Sequence, residues 1–545
     1  MTYNIIAILC SILIPMLVIK EPIIKIIKKE KISLKEYKYE FGFYVLIAIG
    51  CLIRSVGINI IPHGLNIDEA SSTYEAFSIL NYGVDRNGNS FPVFLEAWGS
   101  GQNALYTYIM IPFIKLFGVN IVSTRLPMVL ISCISLFVWY KLLIKIKNKK
   151  FALIGLAFFV ICPWHIMKSR WGLESNIFPD ITLYAIWFII KFLETKKDMY
   201  FYTATLIFGI TAYAYGTSYF FLPLFLIPLL IYLRCKKEIS TLKIFIGLAI
   251  VGLVSLPIIL YVVINTFNLP EIKLGPFTVP KLPINRYEEQ TGLFSGNIIT
   301  NLLKNFFGQI GILLTQDDGL IWNNISGFGM TYIISLPFLI IGIIYGFYVK
   351  SKYSSIFKIW FMSSFLLFFV LNDVNINRIN IFIIPMIYFT IEGIYCVVEN
   401  SKPALVLITT TYILLFIGFE KKYISLKDNG RVFVDNIQEV IEYVDSLDVQ
   451  KIYFEYDFKE PYIYVLYYTK YNPNEFNETR EYFNIQNIGS FDNTKTFGKY
   501  NFYIPKKLED TENVAYVINK NKLNNLDYSN FKINEFNKYL VLYNK

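Results

Sequence analysis

The sequence predicts a polytopic α-helical membrane protein followed by a small C-terminal α/β domain, and three observations carry that prediction. Apolar residues make up 54% of the 545-residue chain and charged residues 17%, with a mean hydropathy of +0.45, whereas soluble domains are about 25% charged. Apolar runs of bilayer-crossing length recur as far as Phe419. Lysine and arginine fall in short clusters after alternate runs, the positive-inside pattern. Beyond Glu420 the long apolar runs stop.

The order of elements follows from that pattern. Tyr3 to Ile19 reads as an uncleaved first helix with its N-terminus outside, because its positive charge follows the run where a signal peptide would carry it before. Lys20 to Lys38 holds seven lysines and reads as a basic cytoplasmic linker with an interfacial helix. Residues 1–40 thus form an additional N-terminal helix and linker, 41–419 the membrane core, and 420–545 an extracytoplasmic domain. Within the core, Phe41–Ile61 crosses outward and Ala104–Phe117, too short to span, lies along the outer interface. Val119–Ile144 returns to KIKNKK, and Phe151–Ile166, Asn176–Leu193, Tyr200–Tyr215, Ser218–Leu233 and Leu242–Ile264 alternate. Asn265 to Asn324 reads as a long, mixed outer segment. Met330–Tyr348, Phe357–Leu371, Ile379–Val398 and Ala404–Phe419 then bring the count to about twelve spans. In the C-terminal part, Val434, Ile437, Val440, Ile441, Val444 and Leu447 recur at a helical period, and KIYFEY, KYNFYI, AYVI and YLVLYN read as strands.

Composition also excludes classes of function. The net charge of +10 comes from clusters at span ends and not from one basic face, so nucleic acid is not the expected partner. Six cysteines are scattered without a CxxC pair and suggest neither a disulfide framework nor a metal cluster. The two histidines, His63 and His165, cannot build a zinc triad alone.

The chemistry gathers on the outer side of this topology. Asn66 to Gln102 opens with the adjacent carboxylates Asp68 and Glu69, and acids held at a lipid boundary are costly. Gln102, Arg125, Arg170, Arg286, Asp317, Asp318 and Arg378 fall at the same face. Carboxylates with guanidinium forks suit a nucleophilic hydroxyl and a departing lipid phosphate. Each has a plainer reading as well. Asp68 and Glu69 suit a helix N-terminus, Arg54 inside a span suits structural pairing, and Arg170 and Arg378 suit lipid headgroups. Asp317 and Asp318 could join a carboxylate-bound divalent cation or make an ordinary DDG turn. Asn477 opens a glycosylation sequon of a kind that arises often by chance.

The acidic pair, then YGVDRNGNSFPVF, GSGQNALYTY, STRLP, SRWGLESNIFP, YGTSYFF, QDDGLIWN and NRINIFIIP, together resemble the dolichyl-phosphate-mannose-protein mannosyltransferase-like group, family 39. These are C-type glycosyltransferases, and the chain is similar to their bacterial members, relatives of aminoarabinose transferases. The resemblance spans Phe41 to Phe419. It implies transfer of a sugar from a polyprenyl-phosphate carrier to a protein, lipid or cell-wall acceptor on the outer face of the plasma membrane, with inversion. It implies Asp68 as base with Glu69 beside it, and Arg378, Arg170 and Arg286 as holders of the carrier phosphate. The helix before Phe41 departs from the family's usual start, and Asn377 stands before Arg378 where the family often carries a histidine motif. A transporter or flippase of lipid-linked sugars is the alternative class, but such proteins commonly show repeated halves, and this sequence has none.

Overall fold

In a bilayer a backbone amide without an internal partner is costly, so apolar runs must close their hydrogen bonds as helices. A computed structural model describes residues 5, 8, 9, 34–98, 101–283, 297–349, 351–372, 375–426, 432–456, 458–487, 493–508, 513–522 and 527–544. Most of the expected first helix and basic linker therefore lies outside the described residues, as does Arg286, while residues 34–38 of that linker open the first long helix.

Along the chain, α1 (Leu34–Ser55) leads through strand β1 (Leu65–Asn66) into α2 (Ile67–Tyr82). Strands β2 (Phe94–Leu95) and β3 (Gln102–Asn103) form a hairpin before α3 (Leu105–Phe117). A helical run follows: α4 (Ile121–Ile146), α5 (Lys149–Val160), α6 (Pro163–Ser169), α7 (Glu174–Thr195), α8 (Asp198–Thr211), α9 (Ser218–Cys235) and α10 (Thr241–Thr266). A second hairpin, β4 (Ile272–Leu274) and β5 (Phe277–Val279), precedes α11 (Ile298–Thr315), α12 (Leu336–Tyr348), α13 (Ser354–Val370), α14 (Asn380–Val398) and α15 (Lys402–Ser425). The C-terminal part holds β6 (Phe433–Val434), α16 (Gln438–Asp445), β7 (Lys451–Phe454), α17 (Pro461–Thr469) and α18 (Pro473–Thr479). It ends with β8 (Glu481–Tyr482), β9 (Thr494–Phe497), β10 (Tyr500–Asn501), β11 (Val514–Asn519), β12 (Lys532–Glu535) and β13 (Tyr539–Tyr543).

The chain is a multi-pass membrane protein. Among the described residues, seven helices (α4, α7, α9, α10, α11, α14 and α15) are long and apolar enough to cross, or eight if α5 and α6, bent by 58°, form one span. Runs such as Tyr200–Tyr215 and Phe357–Leu371 fall in shorter helices of 14 and 17 residues. The segment read as one long outer loop contains α11, an 18-residue apolar helix. Its period is interrupted by Asn301, Lys304, Asn305 and Gln309, which hid it from a hydropathy reading. Val434, assigned to a helix, pairs as a strand, and the amphipathic helix starts only at Gln438.

The described chain divides into two compact units. The first comprises Met1–Ile58, Arg125–Pro257 and Tyr287–Leu426, with the long helices. At the contact of α12 with α14 two glycines let the backbones touch: a Cβ on Gly342 would lie 1.7 Å from the Phe389 carbonyl oxygen, and one on Gly393 1.9 Å from that of Phe338. Small residues allow such close approach where lipid gives no hydrophobic drive between helices. The break between α5 and α6 frees carbonyls at the end of α5, and Arg54 of α1 takes them, donating to Phe159 O at 3.1 Å and Val160 O at 3.2 Å. Its Nε donates to His165 Nδ1 at 3.1 Å. The expected structural pairing of Arg54 thus has a histidine and carbonyls as partners instead of a carboxylate.

The second unit comprises Asn59–Thr124, Ile258–Arg286 and Lys427–Lys545. Its main sheet has the order β12-β13-β11-β7-β10-β9-β8, with β7 parallel to both β10 and β11 and the other pairs antiparallel. The face bearing α16 and α17 builds a core from Val440, Ile441, Val444, Ile463 and Leu466, which Leu65, Ala70 and Tyr74 join from β1 and α2. Antiparallel pairing of β1 with β6 sets Leu65 opposite Val434. Tyr74 donates to Tyr471 O at 2.7 Å, and Tyr464 to Leu65 O at 3.2 Å. The acidic stretch is therefore part of the same packed body as the C-terminal sheet.

Candidate active site

Asp68 and Glu69 begin the same helix yet do different work. Asn66 is the N-cap of α2, its side chain accepting from the Asp68 amide at 2.8 Å, and Glu69 closes a capping box by accepting from the Asn66 amide at 3.1 Å. Both Asn66 and Glu69 are fully buried. Two orphan amides are satisfied reciprocally in such a box, so the capping role falls on Glu69. The Asp68 carboxylate takes no part in the cap and stays half-buried.

Asp68 is instead met by the hairpin that follows. Trp98 Nε1 donates to Asp68 Oδ1 at 2.7 Å and Gln102 Nε2 donates to the same oxygen at 3.0 Å. No hydrogen bond to Asp68 Oδ2 occurs among the described residues. The hairpin can make this double approach because Gly101 sits at φ +76°, where a Cβ would lie 2.2 Å from the Leu95 carbonyl oxygen; only glycine fits there. Burial pushes the Asp68 carboxyl above the usual carboxylate range, the Trp98 and Gln102 hydrogen bonds pull it back, and the neighbouring Glu69 charge adds to the rise.

Behind Trp98 sits a buried charged layer. Arg86 Nε lies 3.2 Å from Glu75 Oε1, its Nη1 donates to Ser71 Oγ at 2.9 Å, and its Nη2 donates to Glu96 O at 2.9 Å. Its guanidinium carbon lies 5.1 Å from the Trp98 ring centre and 5.9 Å from that of Tyr462. Desolvation raises the Glu75 carboxyl, with Arg86 opposing, and the Arg86 guanidinium is held charged by the acids and Tyr462 around it. Asp85, also buried, shapes the preceding turn by accepting from the amides of Asn87 and Asn89. A small recess of ≈ 30 Å³ beside Trp98 is lined by Arg86, Glu96, Tyr462, Arg480 and Tyr482 among others, room for water-sized groups and not for a sugar ring. The sequon residue Asn477 donates to Arg86 O at 2.8 Å and to Pro473 O at 2.9 Å, so its amide is engaged in packing α18 against the loop.

Arg125, Arg170, Asp317, Asp318 and Arg378 belong to the first unit. Arg170 Nη1 and Nη2 donate to Ile53 O and Val56 O at 2.7 and 2.8 Å, and Arg125 Nη1 donates to Ile58 O at 2.9 Å. Both guanidiniums are buried and satisfy the carbonyls where α1 ends. Arg378 is half-buried in the turn before α14, its amide donating to Asn375 Oδ1 at 3.0 Å. Asp317 Oδ1 accepts from the Gly319 amide and Asn324 Nδ2 at 2.7 and 3.1 Å. Asp318 accepts from the Leu320 and Ile376 amides and from Asn323 Nδ2. The turn reading accounts for both acids. Among the described residues no group of three or more His, Cys, Asp or Glu side chains is arranged to hold a metal ion.

Sequence reasoning brought Asp68 and Gln102 forward, and the structure joins them. It missed Trp98, Glu75, Tyr462 and Arg480, which no spacing relates: Tyr462 is hundreds of residues from Trp98 in the chain. A lone Trp in a Gly-rich stretch was the one available signal.

Comparison with known proteins places these observations. The family model described as dolichyl-phosphate-mannose-protein mannosyltransferase matches residues 103–262, a stretch beginning just after Gln102. Among solved structures, ArnT from Cupriavidus metallidurans bound to undecaprenyl phosphate aligns with a TM-score of 0.54 at 10% identity, covering 92% of this chain and 97% of that one. The apo state of the same protein aligns with a TM-score of 0.53 at 10% identity and the same coverage. The archaeal oligosaccharyltransferase AglB from Archaeoglobus fulgidus, in complex with an inhibitory peptide and a dolichol-phosphate, aligns with a TM-score of 0.46 at 13% identity, over 80% of this chain and 64% of that chain. No curated protein sequence matches the chain significantly.

Proposed function

From a chain that resembles the C-type glycosyltransferases in its family-model match and in its fold, we propose a transferase that moves a sugar from a polyprenyl-phosphate carrier to an acceptor hydroxyl on the outer face of the plasma membrane. The observation that carries the reading is the division of labour at Asp68. Oδ1 accepts both hydrogen bonds from the hairpin, which leaves Oδ2 to take a proton. A carboxylate raised by burial is a better base near neutral pH than an ordinary one.

In the proposed step the acceptor oxygen attacks the anomeric carbon in line as its proton passes to Asp68 Oδ2. The bond from the anomeric carbon to the phosphate oxygen breaks, and the carrier departs as polyprenyl phosphate. Charge on that leaving group calls for guanidinium partners. The resemblance assigns that task to Arg378, Arg170 and Arg286 as holders of the carrier phosphate. Undecaprenyl phosphate in the similar ArnT supports a carrier of this chemical class.

The test is transfer of labelled sugar from a panel of polyprenyl-phosphate donors to lipid, protein and wall fractions, in membranes bearing wild type or Asp68→Asn. Label that moves only with wild type supports the reading, and the labelled fraction identifies the acceptor. Equal transfer by both proteins would overturn Asp68 as base.

A further inference from the structure

We propose that Trp98 is a positioning residue through which the C-terminal segment holds Asp68 in its working orientation. The inference rests on the reading of Asp68 as base and assigns a task to the C-terminal segment.

Four features converge on Trp98. Its N–H is spent on Asp68 Oδ1 at 2.7 Å, a carboxylate that caps nothing. Its backbone sits at φ +51°, a region that bulky residues rarely occupy and that persists only where surroundings over-determine it. The residue is buried, at 8% exposed, with the Arg86 guanidinium 5.1 Å from its ring centre. A further neighbour is Tyr462 of α17, whose ring meets it edge-on at 6.5 Å between centres.

Arg86 cannot yield freely, since Glu75, Ser71 and the Glu96 carbonyl fix it. Tyr462 in turn stacks on Phe476 at 5.8 Å. The indole is therefore wedged between a pinned guanidinium and the C-terminal core, and the wedge sets the direction of its N–H. A tryptophan serving only as core filler needs neither the positive φ nor a carboxylate partner. If α17 were displaced, the ring would lose its backing and Oδ1 its shorter hydrogen bond.

The experiment uses the full chain in nanodiscs. Carbodiimide-driven coupling of glycine ethyl ester to Asp68, followed against pH by peptide mass spectrometry, reports the carboxyl's protonation without needing substrate. A donor hydrogen bond favours the ionised form, so Trp98→Phe should move the labelling midpoint to higher pH by about one unit. Transfer by the same variant should fall about 10²-fold in kcat, as for a misplaced catalytic group, with KM little changed. Tyr462→Leu keeps the indole N–H but removes its backing, and should move the midpoint the same way. An unmoved midpoint in Trp98→Phe overturns the proposal; if that variant does not fold, an unmoved midpoint in Tyr462→Leu does so. A shifted midpoint together with normal transfer by Asp68→Asn would instead keep the positioning role and remove Asp68 as base.

Discussion

Glu75 and Arg86 form an ion pair at 3.2 Å with side chains 1% and 2% exposed, Glu75 standing on the helix α2 whose cap Glu69 closes. The pair is the floor on which Trp98 rests, so its loss should be felt in both stability and chemistry.

Glu75→Gln leaves Arg86 buried without its counter-charge, and breaking a buried pair from one side costs about 3–5 kcal/mol. The expected outcome is a clearly lowered thermal midpoint of the protein in nanodiscs, with earlier proteolysis within residues 427–545. The double variant Glu75→Leu/Arg86→Met removes both charges and should recover part of the loss. Equal stability of Glu75→Gln and wild type would show that the pair contributes little.

The adjacent acids should separate cleanly. Asp68→Asn should lower transfer by about 10² to 10⁴ while the protein folds normally. Glu69→Gln keeps a side chain able to close the capping box and should retain most transfer. Glu69→Ala should lose about 1 kcal/mol of stability. Steady-state transfer read beside thermal unfolding for the three variants checks the assignment, and a Glu69→Gln protein as inactive as Asp68→Asn would contradict it.

The pH dependence follows from the direction of the Asp68 shift. Burial raises this carboxyl above the ordinary range, and the base must be ionised to accept a proton. The rate should therefore fall as pH drops through that raised value, earlier than an exposed aspartate with a pKa near 3.9 would allow. A profile of kcat/KM that stays flat down to about pH 4 would exclude Asp68 as the titrating base.

Helix contact in the first unit makes a sharper structural prediction. Gly342→Leu places side-chain atoms where the Phe389 carbonyl already stands, 1.7 Å from the new Cβ. Because backbone and not a flexible side chain opposes it, α12 and α14 must part, and little folded protein should be recovered from membranes. A monodisperse, thermally normal Gly342→Leu protein on gel filtration would refute the close approach.

How much of this was legible in the chain depends on the range of the interaction concerned. Helical membrane character follows from local composition, since each apolar run must satisfy its own backbone in lipid. The acidic loop stood out because two carboxylates beside apolar runs are costly wherever they end up. Asp68 and Gln102 were both picked from sequence, but not their contact, which depends on Gly101 turning the hairpin back. The carbonyl partners of Arg125 and Arg170 were not legible, because a guanidinium at a span end looks the same in sequence whether it meets a phosphate or a helix's last carbonyls.

The sequence by itself determined the class of the protein, the composition of its membrane helices and the stretch in which its acids lie, because hydropathy and local charge are sums over neighbours in the chain. Only the tertiary structure decided which acid caps α2 and which accepts from Trp98 and Gln102. That division depends on Trp98, Arg86 and Tyr462 arriving at one place, and contacts between residues so far apart in sequence are fixed by packing, which no local pattern encodes.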